Sequence, residues 1–506
     1  MTLVGSAVAA TFVGTAEDEI LATGLATGDT VVAYKVVEWD AANSEWKLTT
    51  LGAAGFTNVA AVLDGISSDE ATAIANAASG AADYTLTETS TTGTFHVTGV
   101  AAGMYYLKAT PADRDTIYNP AFVSADYYQD GNTVEFSDTM GNAAYIKKST
   151  VPFEKEVNDA DKDRYMDVKP GDTIPYKITT TIPAYGKNFT NPKFTIVDVL
   201  SAGLELDGTI TVKYGTTTVT ASDDNVTITA KNDKSGYTVD FAADYLKNVA
   251  NKATVAVEIT YSAKVTTAAL DNVTYMDNKA TLTFSHTPDQ NSSKDDITRH
   301  YTFSIDGNLL GSNEDQTDEL IKVACNPDGT PLYDQKTTYY DKQVNPLDGA
   351  SFTLTPVDGT PGSVKTYKSA DGGHIQFLGL DAGTYELVET QAPAGYTKDS
   401  RTYIVKIIPH YNDTDVDNAL LISYDVEFSV KGDTTGAKTT STFNTTNEGG
   451  KTIRSAHAEH SQPIGNTPGN ELPSTGGIGT TIFYIAGLVL VLGAAAIVIA
   501  RRKAEQ

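Results

Sequence analysis

The chain has 506 residues, enough for three or four domains, and carries a formal net charge of −27 with a pI near 4.5. Such acidity excludes nucleic acid and anionic membrane surfaces as partners. A single cysteine, Cys325, rules out an intramolecular disulfide, and seven scattered histidines without a His/Cys cluster argue against a zinc site; no metal and no cofactor is expected.

Residues 1–10, MTLVGSAVAA, are small and apolar and end like a cleavage site; they read as the remnant of an export signal, with a buried first strand as the alternative. Residues 57–82 read as helical, with Ser67 or Ser68 capping the second part. Elsewhere period-two alternation prevails. In TVAVEITYSAKV, Val255, Val257, Ile259 and Tyr261 face a core, while Thr254, Glu258 and Thr260 face water. Similar runs at 173–183, 194–200, 350–357 and 384–390, separated by Gly, Asn and Asp turns, predict a mainly β chain of tandem immunoglobulin-like β-sandwich domains.

Composition shifts divide the chain into 11–148, 149–299 and 300–450, with the polar run TPDQNSSKDD (287–296) closing the middle unit. Residues 451–471 are poor in large apolar side chains and read as a flexible stalk. The 23 residues 478–500 carry no charge and, at about 1.5 Å per helical residue, reach roughly 30 Å, a bilayer's hydrocarbon thickness. Arg501, Arg502 and Lys503 follow and set a cytoplasmic end for this transmembrane helix.

Directly before that span stand Leu472, Pro473, Ser474, Thr475 and Gly476. The combination LPSTG, apolar span and basic tail (472–506) resembles the cell-wall sorting signal of Gram-positive surface proteins. The resemblance implies that a sortase cysteine attacks the Thr475–Gly476 carbonyl, and that an amine on peptidoglycan or on a neighbouring subunit then releases the acyl-enzyme. Pro473 holds the backbone extended for an enzyme groove.

GTYELVETQAPAGY (383–396) matches the pilin E-box Y-x-L-x-E-T-x-A-P-x-G-Y, and LDGASFTL (347–354) and HIQFLGLDAGTY (374–385) resemble the collagen-adhesin B-type domain. That family joins a first-strand lysine to a last-strand asparagine through their side chains, promoted by the E-box glutamate. The resemblance implies Glu389 as the acid, Lys322 in ELIKVACNPDG as the lysine and Asn444 in TSTFNTTN as the asparagine; Lys336 and Lys342 compete with Lys322. In the middle unit, KSTVPFEKEV, DVKPGDTIPYKITTTIP, FTIVDVLSAGLEL and YMDNKATLTFS resemble the fimbrial isopeptide-forming D2 domain, which implies Lys155, Asp198 and Asn278 in the same roles. Burial among apolar side chains disfavours both charged forms. The lysine becomes a nucleophile, and the protonated carboxyl can polarise the amide and shuttle protons as ammonia leaves.

Backbone pilins carry a YPKN-like motif after the first domain, whose lysine accepts the neighbouring subunit's threonine. The corresponding YIKK (145–148) lacks the proline and asparagine, with Lys147 as the positional match and Lys148 as its competitor. The first domain echoes the E-box at 99–120 but has Ala109 where the glutamate belongs, so no internal bond is expected there and Lys35 is an ordinary strand lysine. Asp159, Asp161 and Asp163 imitate a calcium loop but lack its glycine and terminal glutamate; a solvated acidic turn is the better reading.

Together these features resemble a sortase-assembled, wall-anchored fimbrial subunit of the major shaft type: a secreted structural protein of the cell surface, not a turnover enzyme. Its implied partners are sortase, neighbouring subunits, peptidoglycan and a host extracellular ligand. A monomeric wall-anchored adhesin or minor pilin is the alternative. No Ser/His/Asp, metal or glycosidase-like constellation supports a hydrolase.

Overall fold

The computed structural model describes residues 19–469 except 41, 114, 130–131, 135, 137–139, 158–163, 250–252, 271–275, 306–319, 331, 333–336, 340–341, 413–420, 449–450 and 455–461; beyond 469 it describes six helical residues between Leu488 and Ile497. Residues 1–10, the Asp159/Asp161/Asp163 turn, Lys336 and Leu472–Gly476 lie outside the described residues.

The first domain is built on one eight-stranded sheet. Its path runs Ala143–Tyr145, Ile20–Thr23, Phe95–Val97, Tyr84–Glu88, Thr30–Asp40, Gly103–Thr110 and Ala121–Ala125, with Glu45–Leu48 hairpinned onto Thr30–Asp40. Successive side chains point to opposite faces, so Tyr105 joins a core with Ile20, Val31 and Val123, while Met104 and Tyr106 join a second core under the helices. The helical stretch expected at 57–82 forms two pieces, Val59–Leu63 and Ser68–Ala77, preceded by a single turn at Gly52–Gly55. Ser67 is the cap: its side chain accepts from the Glu70 N–H, and Glu70 returns a bond to the Ser67 N–H.

The second domain is a two-sheet sandwich. One sheet orders Phe153–Val157, Thr173–Ile182, Val255–Val265, Leu204–Tyr214 and Thr217–Val219; the other orders Tyr165–Asp167, Gln290–Tyr301, Met276–Thr287, Phe194–Leu200, Gly236–Phe241 and Val226–Ala230. The polar run 287–296 is therefore not a boundary. It is the turn of a long hairpin and the first half of its returning strand, in which polar side chains face water before the strand continues to the buried Thr298, His300 and Tyr301.

The third domain faces a seven-stranded sheet, ordered Lys365–Lys368, Ser351–Val357, Gly383–Gln391, Thr402–Tyr411, Leu421–Val430, Lys438–Glu448 and Lys451–Arg454, with smaller two-stranded pairs. One pair joins Leu320–Ala324 to Gln462–Asn466 in parallel. The segment expected to be a stalk thus contributes two strands to the fold, and Ile464 and Asn466 are buried on the strand that pairs with Leu320–Ala324.

One hydrophobic cluster runs without interruption through the second and third domains, whereas the helices and sheet of the first domain keep cores of their own. At the joint between the second and third domains, the Tyr165 and Tyr411 rings stack at 3.9 Å, the Tyr411 hydroxyl donates to Asp167, and Lys169 pairs with Asp381 at 3.0 Å. Gly379 sits there at φ +65°, where a Cβ would meet the Pro170 ring at 2.9 Å, so both conformation and space require glycine. The first domain meets the second through ion pairs Lys187–Asp69 and Lys294–Asp115 and through Ile117, which enters the second domain's core.

If the joint holds these two domains as one body, Tyr411→Ala broadens the distance distribution measured by small-angle scattering. An unchanged profile would assign the rigidity to the remaining apolar contacts.

Candidate functional site

Lys155 lies on Phe153–Val157, the edge strand of one sheet of the second domain; its backbone N–H donates to Asp296 of the facing sheet at 2.6 Å. Asp198 and Asn278 lie on neighbouring strands of that facing sheet, in register with Ala280 and Leu200 respectively. All three side chains are fully buried, at 0 % exposure. Lys155 Nζ donates to Asp198 Oδ2, and also to the hydroxyl of Tyr261 at 2.5 Å. The Tyr261 hydroxyl donates to Asp198 Oδ2 at 2.7 Å and accepts from Asn278 Nδ2 at 2.8 Å. The ammonium position is otherwise walled by aromatic faces, 5.1 Å from the Tyr176 ring centre and 5.2 Å from that of Tyr261. His300, held neutral by burial with its pKa pushed down to about 3, places Nε2 2.7 Å from the Tyr176 hydroxyl.

Burial dominates the electrostatics. It pushes the Lys155 amine below its ordinary value against the attraction of Asp198, and pushes the Asp198 carboxyl up against the attraction of Lys155. Both shifts favour a neutral amine beside a neutral acid. Asp198 Oδ1 and Asn278 Oδ1 are buried without a hydrogen-bond partner. A proton on Asp198 relieves that deficit by turning an acceptor into a donor.

The third domain repeats the chemistry with a different layout. Lys322 lies on Leu320–Ala324, fully buried, with Nζ 3.4 Å from Glu389 Oε1 and 5.7 Å from the Phe352 ring centre. Burial lowers the Lys322 pKa, with Glu389 opposing. Glu389 comes from Gly383–Gln391 of the seven-stranded sheet, and its Oε2 accepts from the Asp399 N–H at 2.6 Å and from Asn466 Nδ2 at 2.7 Å. Burial pushes Asp399 up, but the Arg401 guanidinium and backbone N–H outweigh it and hold the carboxyl below its ordinary value.

Asn444 is not at this site. It is exposed on Lys438–Glu448, opposite Ser423. The asparagine beside Glu389 is Asn466, which is 1 % exposed. Parallel pairing sets Lys322 opposite Ile464 and Ala324 opposite Asn466, so lysine and asparagine project from adjacent strands toward the same acid. The reason for the difference is positional: the last strand of the domain lies beyond residue 450, in the segment read as a stalk. Lys342 falls on the short strand Lys342–Val344, which pairs with Thr337–Tyr339 and not with the strand carrying Asn466.

Lys147 and Lys148 are both exposed where the first domain ends. The Lys147 carbonyl accepts from the Asn119 N–H at 2.9 Å, and Lys148 opens the strand Lys148–Thr150 opposite Tyr118. In the first domain, Lys35 is half-buried with Nζ 5.9 Å from the Tyr105 ring centre, and Ala109 pairs with Val31. Among the described residues no helix is long and apolar enough to cross a membrane; the described residues of the 478–500 span, including Leu488, Leu490, Val491, Leu492 and Ile497, are helical with exposed apolar side chains.

Three families match separate parts of the chain: the Gram-positive pilin backbone subunit 2, Cna-B-like domain over 170–290, the SpaA prealbumin-like fold domain over 335–420, and the LPXTG cell wall anchor motif over 466–505. The chain carries the domain types of a wall-anchored Gram-positive pilin. The pilin is 24% identical over 460 residues to the trypsin-resistant surface T6 protein of Streptococcus pyogenes serotype M6, covering 81% of this chain and 80% of the relative. It shares the fold of the T6 backbone pilin of that serotype, described as a modular three-domain structure, with a TM-score of 0.59 at 20% identity over 89% of this chain and 98% of the other. Its backbone-pilin domain and cell-wall anchor are those of a structural subunit of a cell-surface pilus, and suggest sortase, other pilin subunits and the cell wall as its class of partners.

The lowered pKa of the buried Lys155 has a kinetic consequence. An ordinary lysine gains neutral amine about tenfold per pH unit below its pKa. If folding itself deprotonates Lys155, the lysine–asparagine crosslinking expected from the sequence changes far less than tenfold per unit between pH 7 and 9. A tenfold slope, followed by mass spectrometry of quenched time points, would assign the amine an unshifted pKa.

Proposed function

We propose that this pilin is a shaft subunit that bonds to itself twice and to its neighbours once. Inside the second domain, Lys155 Nζ attacks Asn278 Cγ, promoted by Asp198. Inside the third, Lys322 Nζ attacks Asn466 Cγ, promoted by Glu389. In each case the new C–N bond forms, the Cγ–Nδ2 bond breaks, one amine proton goes to the departing nitrogen, and ammonia leaves. The observation that carries this reading is the pair of fully buried lysines, each placed with a carboxyl and an amide in a dry site. A buried ion pair seldom repays its desolvation, whereas a neutral amide carries no such cost. The polypeptide's own chemistry is then a single event per bond, not turnover.

Sortase cleaves between Thr475 and Gly476 and transfers Thr475 to Lys147 or Lys148 of the next subunit. The exposure of both lysines at the end of the first domain supports this assignment. Tension between successive subunits then follows a covalent route: from Lys148 to Lys155, across to Asn278, along the chain to Lys322, across to Asn466, and on to Thr475. Residues 156–277 and 323–465 lie outside that route, as does the whole first domain.

Intact mass tests the bonds. Each lowers the mass by one ammonia, about 17 Da. The pilin is expected to show two losses, and Lys155→Ala, Asn278→Ala, Lys322→Ala and Asn466→Ala one each. Asn444→Ala retains both; a single loss in that variant would return Asn444 to the site.

Force spectroscopy tests the route. Pulled from Lys148 and Thr475, the Lys155→Ala variant releases the 122 residues 156–277, a gain of roughly 40 nm at about 3.4 Å per residue, and the unaltered pilin does not. Sodium dodecyl sulfate-resistant multimers on cell walls are expected to vanish when Lys147 and Lys148 are both replaced. Persistence of the ladder would place the acceptor elsewhere.

A further inference from the structure

Resting on the proposed Lys155–Asn278 bond, the geometry points to Tyr261 as a catalytic residue of that reaction, carrying the proton from the attacking amine to the departing nitrogen. Its hydroxyl is the one group described in hydrogen-bond contact with nucleophile, leaving group and acid together: Lys155 Nζ at 2.5 Å, Asn278 Nδ2 at 2.8 Å and Asp198 Oδ2 at 2.7 Å. The nitrogen that must leave points at this oxygen. Asp198 Oδ2 is already occupied by Lys155 and Tyr261.

The proton balance closes within these groups. When Nζ has bonded to Asn278 Cγ, the new ammonium-like nitrogen passes one proton to the Tyr261 oxygen. Tyr261 passes its own hydroxyl proton to Nδ2, the Cγ–Nδ2 bond breaks, and ammonia departs. Tyr261 ends as it began, protonated, and Asp198 remains free to polarise the carbonyl. Burial, followed by the neighbouring Asp198, keeps the hydroxyl from ionising, so its proton is available to give.

The ring is fixed for this task. Strand register sets Tyr176 directly opposite Tyr261 on the neighbouring strand, and their rings stack at 5.1 Å; Tyr237 from the facing sheet packs edge-on to the Tyr261 ring at 4.8 Å. The third domain has a different solution. There Glu389 itself reaches both Lys322 and Asn466, and no tyrosine hydroxyl is described between them. Its bond therefore serves as a control inside the same molecule.

The test follows bond formation in the full chain made by cell-free synthesis, with samples quenched in acid at intervals, digested, and scored for each branched peptide. Tyr261→Phe keeps the ring and removes only the hydroxyl. It is expected to slow the Lys155–Asn278 bond at least tenfold while the Lys322–Asn466 bond forms at its normal rate. Because lost packing could mimic this, a second variant carries 3,5-difluorotyrosine at 261, which keeps ring and hydroxyl but makes the hydroxyl more acidic; a severalfold change in rate is expected. Formation at the unaltered rate in either variant overturns the role of Tyr261 and leaves the bond itself standing. Absence of the Lys155–Asn278 peptide from the unaltered chain removes the underlying reading instead.

Discussion

The structure depends on what happens to a lysine amine when every water is taken from around it. An ammonium in an apolar interior is several kcal/mol less stable than in water unless paired, and pairing with a carboxylate only partly offsets the loss. Lys155 and Lys322 are each enclosed to that degree. Burial lowers the pKa of both amines and raises that of Asp198, which favours transfer of the proton to that acid. In the proposed reaction folding and chemistry are one process: closing the sandwich both excludes water and creates the nucleophile.

The two domains reach this state through different geometry. In the second, the lysine projects from one sheet and the acid and asparagine from the other, so the proposed bond would tie the two layers of the sandwich together. In the third, lysine and asparagine sit on adjacent parallel strands and the acid approaches from the opposing sheet. A parallel pair of only five residues on each side is weak on hydrogen bonds alone. A side-chain amide across it would make Leu320–Ala324 and the closing strand Gln462–Asn466 inseparable. This fits a chain whose single cysteine, Cys325, leaves no disulfide to do the job.

Much of this was legible in the sequence, and the residues show why. The second-domain strands are long and strictly alternating, so Lys155, Asp198 and Asn278 fall on recognisable strands, and they meet in the folded domain. The E-box likewise marks Glu389. Asn466 was hidden because its strand, QPIGN, buries little beyond Ile464 and Asn466 itself, and its composition does not differ from that of a linker. The polar run at 287–296 misled for the converse reason: one face of a two-sided strand is exposed, so many polar side chains are compatible with a ladder. Tyr261 was legible as inward-facing, but its hydroxyl's three partners come from three other strands, and convergence of that kind lies in register and sheet packing, not in any local pattern.

The most direct measurement is tandem mass spectrometry of a proteolytic digest of the mature pilin. The account predicts two branched peptides, one joining Lys155 to Asn278 and one joining Lys322 to Asn466. Recovery of all four residues in linear peptides, with both lysines free, would contradict it.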